Sequence, residues 1–155
     1  LAVSNGCMPF GAVLSDDKGK IVARASNPTP ALGKRGGATT HDCTGHAEIT
    51  LLRTQEFLCL PVDERKKATL YSSTEPCVMC AGAIYWAGVG RVVYGCDAYR
   101  LENEVSGPGG FDIPIRDLYG MGSGGSVGKQ IEIRGPILEE EGLQIHKDSG
   151  VWKRK

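Results

Sequence analysis

The sequence has no net charge: 18 lysines and arginines balance 18 aspartates and glutamates over 155 residues. No chain-wide positive field exists to gather phosphates, so a polyanionic partner is not indicated. Also missing is any apolar run near the roughly 20 residues that span a bilayer. No signal-peptide pattern is present. The candidate glycosylation sites fail, because Pro28 follows Asn27 and no hydroxyl residue stands two positions after Asn5. Membrane and secretory readings drop out. Six cysteines are present, an even number that invites a disulfide framework, yet a chain of this length builds a core without staples. A reducing, cytoplasmic setting and a single domain over residues 1–155 are expected.

The β-prone runs Phe10 to Leu14 and Ile21 to Ala25 flank Asp16, Asp17, Lys18 and Gly19, a composition that predicts a hairpin. Asn27 to Thr44 holds prolines, glycines and threonines without a period and reads as a surface loop. From His46 to Leu58, Leu51, Leu52, Gln55 and Leu58 recur at helical spacing, with Thr44 able to cap the start and Pro61 closing the element. Ala68 to Ser72 reads as a buried strand. Pro76 suits a first helical position for a helix over Cys77 to Ala87 that ends at Gly88, and Arg91 to Tyr94 reads as the next strand. Ser106 to Gly128 is glycine-rich and is expected to be loop, Gln130 to Arg134 an edge strand, and the polar tail helical. Leu1 to Gly6 looks like the last turn of a helix whose earlier part is missing. Strands alternating with helices imply an α/β fold, a three-layer α/β/α sandwich on a mixed sheet of about five strands with the middle strands parallel.

Two short motifs carry the chemistry. One is His46, Ala47, Glu48, at the start of a helix; the other is Pro76, Cys77, Val78, Met79, Cys80, at the start of the next. A Cys-x-x-Cys pair alone is compatible with redox work or half a structural zinc site. Paired with a histidine it says more. On a helix Cys77 and Cys80 stand at i and i+3, so both sulfurs face one side and can grip one ion, and the helix N-terminus favours their thiolates. Sulfur plus imidazole favours zinc. Three protein ligands leave a tetrahedral zinc one position for water, whose pKa falls to about 7 there. Glu48 beside such a water can take its proton and pass it on, first to a ring nitrogen and then to departing ammonia. The bland reading is that Glu48 merely favours a helix N-terminus, His46 is an ordinary polar residue and the cysteines are small core hydrophobes.

At these residues the chain resembles the cytidine-deaminase-like superfamily, whose signature is H-x-E with P-C-x-x-C. The resemblance runs from about Pro9 to Tyr94. The segments Pro9 to Val13 and Ala83 to Ala87 are most similar to the guanine deaminase and tRNA adenosine deaminase branch. It implies a five-stranded sheet between helices, a homodimer with each active site near the subunit contact, and a zinc-dependent hydrolytic deaminase of a free nucleobase or nucleoside. A guanine-like purine comes first; cytosine deaminase and tRNA adenosine deaminase are the alternatives.

It also implies that Asn27 is similar to an asparagine that hydrogen-bonds the base, and counts Ala47 and Glu75, neighbours of the two motifs, among the substrate contacts. Phe10 and Trp86 are candidates for stacking on a planar base, and Asp112 for reading a purine amino group. The loop from Asn27 to His46, with Lys34, Arg35, His41 and Cys43, is longer than usual in the family. The family's opening helix is almost wholly absent, which leaves one sheet face to be covered by a longer chain or a partner.

Other motifs fail. Gly120, Gly122 and Gly125 spell G-x-G-x-x-G without opening a helix, and Gly128 with Lys129 lacks the rest of a phosphate loop. The basic tail of Trp152, Lys153, Arg154 and Lys155 is too short to indicate RNA. A non-catalytic zinc scaffold for dimerisation is the competing class, and Glu48 argues against it, because a scaffold needs no proton shuttle.

Overall fold

The computed structural model describes residues 2–5, 7–28, 42–111, 113–121 and 131–152. Its strands are β1 (Gly11–Ser15), β2 (Ile21–Ser26), β3 (Thr69–Thr74), β4 (Arg91–Cys96) and β5 (Glu132–Arg134). They form one sheet in the order β2-β1-β3-β4-β5. The β1–β2 hairpin and the β1–β3 pair are antiparallel, whereas β3–β4 and β4–β5 are parallel. The expected mixed sheet, with parallel strands in the middle and the last strand at an edge, is what forms.

Strand alternation decides where the core sits. Ala12 and Leu14 of β1, Leu70 and Ser72 of β3, and Val92 and Tyr94 of β4 point to one face, all buried. Helices α1 (Ala47–Leu52) and α4 (Val78–Ala87) cover that face with Leu51, Leu52, Ala81 and Ile84. On the opposite face Val13, Tyr71 and Val93 line an open, mostly apolar groove of about 720 Å³ together with Ile137, Leu138 and Ile145. The first residues contribute only a 3₁₀ turn, Val3–Asn5, where a last helical turn was expected.

The helices depart from the sequence reading in four places. The helix expected from His46 to Leu58 is broken: α1 stops at Leu52, and α2 (Gln55–Leu58) starts afresh. Thr54 causes the break, holding an extended backbone while its hydroxyl accepts from the Phe57 N–H at 3.3 Å. Thr44 does not cap α1; its hydroxyl donates to Asp42 Oδ1 at 2.6 Å, and His46 is the N-cap residue. Pro61 does not simply end a helix but opens another, α3 (Val62–Lys67), whose acidic first turn and basic last turn suit the helix dipole. Pro76 is not the first helical residue, since Cys77 is the N-cap of α4 with an extended backbone. Gly88 does terminate α4, in the left-handed region at φ 74°.

Within the stretch expected to be loop, residues 115–120 form a helix. After α5 (Ala98–Leu101) and a π-helical turn at 102–106 comes α6 (Ile115–Gly120), docked on α4 through Tyr119, whose hydroxyl donates to the Ala81 carbonyl at 2.8 Å. Residues 112 and 122–128 of the glycine-rich stretch lie outside the described residues. The polar tail is helical as expected: α7 (Glu139–Asp148) buries Leu143 and His146. Among the described residues no helix is long and apolar enough to cross a membrane.

Candidate metal centre and active site

Both metal motifs lie at helix starts on the same sheet face. His46 caps α1, so its side chain leaves the helix just where the chain enters it, and Glu48 follows on the first turn. Cys77 caps α4 and Cys80 sits one turn along, its backbone already helical. The two helices pack on each other, which brings His46, Cys77 and Cys80 together with their donor atoms all within 4.8 Å of one another. His46 Nδ1 stands 3.6 Å from Cys77 Sγ and 3.6 Å from Cys80 Sγ. A tetrahedral zinc with Zn–N near 2.1 Å and Zn–S near 2.3 Å places nitrogen and sulfur about 3.6 Å apart. The donor set and its spacing therefore fit zinc.

Electrostatics in the metal-free cluster point the same way. The Cys77 thiol is pushed down, chiefly by the hydrogen bond it receives from Cys80, while Cys80 is pushed up by giving that bond and by burial. One proton is thus held between two sulfurs. His46 is pushed up by its hydrogen bond with Cys77 against the opposing effect of burial. A cation bound among the three replaces that proton.

Glu48 is buried, with 6% of its surface exposed. Oε1 accepts from the Ser72 hydroxyl at 2.9 Å, and Oε2 lies 3.5 Å from Cys80 Sγ. Burial pushes its carboxyl up, and its own backbone N–H and Ser72, both donating to it, pull it part of the way back. The carboxylate adjoins the metal ligands.

The substrate candidates are placed unevenly. Asn27 is buried, and its Oδ1 accepts from the Ala47 N–H at 2.8 Å, the first free donor of α1. Asn27 therefore satisfies the helix start that Thr44 was expected to satisfy, and Ala47 is fully buried beneath it. Glu75 spends both carboxylate oxygens on backbone: Oε1 accepts from Ile115 N–H at 2.9 Å and Oε2 from Ala98 N–H at 3.5 Å. Phe10 gives its carbonyl to the Asn27 N–H, while its ring packs on His146 at 5.0 Å and Trp152 at 6.2 Å. Trp86 lies at the far end of α4 from Cys77, 86% exposed and edge-on to Tyr85. Asp112 lies outside the described residues, as do Lys34, Arg35 and His41.

Sequence reasoning missed Ser72, and the signal for it was available. Ser72 shares the inward register of β3 with Leu70, so a hydroxyl there needs a buried partner.

The family model for the zinc-binding region of cytidine and deoxycytidylate deaminases matches residues 2–96. The chain belongs to that family. It is similar to a probable cytosine deaminase of Schizosaccharomyces pombe, 32% identical over 154 residues, which span 97% of this chain and 83% of that one. A guanine deaminase of Bacillus subtilis is 38% identical over 104 residues, 67% of this chain and 57% of that protein. Among solved structures, one from work on tRNA:A34 deaminases, which edit A to I at the wobble position, superposes with a TM-score of 0.64 at 28% identity, covering 93% of this chain and 89% of the other. The chain is accordingly a deaminase, a hydrolase of C–N bonds with zinc as its cofactor, built on the fold these proteins share.

Proposed function

We propose that this deaminase acts on a free nucleobase or nucleoside, a guanine-like purine first, and releases ammonia. The observation that carries the proposal is a buried Glu48 carboxylate placed against a His46, Cys77, Cys80 cluster of zinc spacing. Zinc, when bound there, acts as a Lewis acid that lowers the pKa of water to about 7. Glu48 would take one proton from the attacking water and hand it to a ring nitrogen, then take the remaining proton of the added hydroxyl and give it to the amine, which leaves as ammonia while the carbonyl forms. A carboxyl raised by burial suits a group that must both accept and donate near neutral pH. With Oδ1 committed to Ala47, Asn27 offers the base its Nδ2 end, and Ala47 acts through Asn27. Glu75 supports the pocket from behind by holding the starts of α5 and α6. The metal ligands Cys77 and Cys80 lie at the opposite end of α4 from Trp86, and Phe10 is engaged with α7, so both are assigned to packing or assembly.

Charge favours a small substrate over RNA. The formal charge is zero, and the basic side chains of α1 to α3 are tied to neighbours: Arg53 to Asp42, Lys66 to Asp63, Lys67 to Glu64, and Arg65 to the carbonyls of Leu58 and Leu60. A cytosine substrate is the second reading, favoured by the likeness to the fission-yeast relative over nearly the whole chain. The test is ammonia release by zinc-loaded protein from guanine, guanosine, cytosine, adenine and adenosine. Turnover of guanine is expected; turnover of cytosine alone selects the second reading, and silence on every compound overturns the proposal.

The cysteines are thiols rather than disulfides, which fits a reducing compartment such as the cytoplasm. Assembly as a homodimer is proposed through α4, whose outer face exposes Met79 and Trp86, two turns apart. Light scattering should give twice the chain mass, and Trp86→Glu should halve it. A parent that runs at 16.5 kDa excludes the dimer.

A further inference from the structure

Ser72 occupies an unusual place. It stands on the middle strand of the sheet between Ala12 of β1 and Tyr94 of β4, in a row of side chains that is otherwise apolar next to it. A buried hydroxyl there costs stability unless it is paired, and its partner is not another strand or a backbone group but Glu48 Oε1, 24 residues earlier in the chain. The terminal torsion of a glutamate is soft, so the Glu48 carboxylate is oriented by the groups that donate to it, its own backbone N–H and the Ser72 hydroxyl. Ser72 is the side chain of the two and ties the carboxylate to the sheet. With Oε1 held toward the sheet, Oε2 is the oxygen beside Cys80.

We propose that Ser72 is a positioning residue for the deamination: by holding Oε1 it assigns Oε2 as the oxygen that carries the proton. The inference rests on the deaminase reading for its kinetic arm and on geometry for the rest. Cys80 is a second side-chain neighbour of the carboxylate, but as a metal ligand it is a thiolate and donates nothing. In the zinc-loaded protein Ser72 is therefore the side-chain donor that remains. A hydroxyl donating to Oε1 keeps protons off that oxygen, so the proton broken from the attacking water bonds to Oε2, and the same Oε2–H bond breaks when the base is protonated. Ser72 itself never exchanges its proton with the substrate.

Three variants test this: Ser72→Ala, and the pair Ser72→Thr and Ser72→Val, which share a shape and differ only in the hydroxyl. Each is loaded with zinc, and metal content is measured first. With zinc bound at parental stoichiometry, Ala and Val should lower kcat about tenfold or more while KM moves less than threefold, and Thr should restore kcat to within about threefold of the parent. A residue that only packs the sheet would not separate Thr from Val. Independently of any substrate, the side-chain carboxyl carbon of Glu48, followed by carbon-13 NMR and assigned by its loss in Glu48→Gln, should shift in Ala and Val and return in Thr. Parental kcat in both Ala and Val, or an unmoved carboxyl resonance, overturns the proposal. A parent inactive on every base removes the deaminase reading instead, and the resonance still decides whether Ser72 holds Glu48.

Discussion

Replacing Cys80 by alanine should empty the metal site. Cys80 is fully buried at the first turn of α4, and its sulfur stands 3.6 Å from His46 Nδ1, the spacing of a shared tetrahedral ion. Alanine removes one of three protein donors and one of the two soft ones. Changes to groups that merely orient a metal ligand cost 10- to 100-fold in affinity. Loss of a ligand itself should exceed about a hundredfold, seen as a fall from one zinc per chain to near none after gel filtration against a chelator.

Because a metal that binds only the folded state stabilises it in proportion to the logarithm of affinity, a hundredfold loss removes about 2.7 kcal/mol of zinc-linked stability, and the variant should melt early. Cys96→Ala is the control: Cys96 is as buried, but it packs with Leu101 and Leu143 near α7, so zinc stoichiometry should persist. Zinc affinity of the parent should also weaken as pH falls, since the thiols and the imidazole must give up their protons to bind the ion. Full zinc occupancy in Cys80→Ala would falsify the ligand assignment.

Cys80 was legible because its evidence is local. His46 with Glu48, and Cys77 with Cys80, are pairs whose spacing carries its own geometry, and both motifs do lie at helix starts. What stayed hidden depends on partners distant in sequence. Asn27 was read as the start of a loop and as a base contact; its bond to Ala47, 20 residues on, by which it does the capping that Thr44 was assigned, was not foreseen. Ser72 reaches back 24 residues to Glu48. Secondary structure failed where one local rule outweighed another. The spacing of Leu51, Leu52, Gln55 and Leu58 continues across the break at Thr54, so periodicity alone could not show it. Pro76 favours a first helical position, but a cysteine that must turn its sulfur toward a histidine on another helix is better served as the N-cap. Residues 115–120 were averaged into a glycine-rich surrounding, though their tertiary anchors, Glu75 and Tyr119, make them helical.

Glu48→Gln is the change expected to cost most in rate and least in structure. Glutamine keeps the shape of glutamate and still presents an oxygen to the Ser72 hydroxyl, so the fold and the three metal ligands should be retained. It cannot accept and return a proton. General acid–base catalysis contributes about 10² to 10⁴ in rate, so kcat on whichever base the parent turns over should fall by that factor, about 2.7 to 5.4 kcal/mol of barrier, with KM within a few-fold and zinc at one per chain.

Stability should move the other way. Burial raises the Glu48 carboxyl above its ordinary value of 4.5, so between 4.5 and the raised value the folded state holds a proton the unfolded chain has lost, and folding weakens as pH climbs through that window. An amide has no such cost. Chelator-treated Glu48→Gln should therefore melt above the chelator-treated parent at pH 7, and the gap should close below pH 4.5. Zinc supplies a positive charge that compensates the carboxylate, so the gap should also narrow when the metal is returned. A variant that is inactive when metal-loaded and more stable than its parent when chelated places Glu48 in the chemistry; one that deaminates within tenfold of the parent removes it from the proton path.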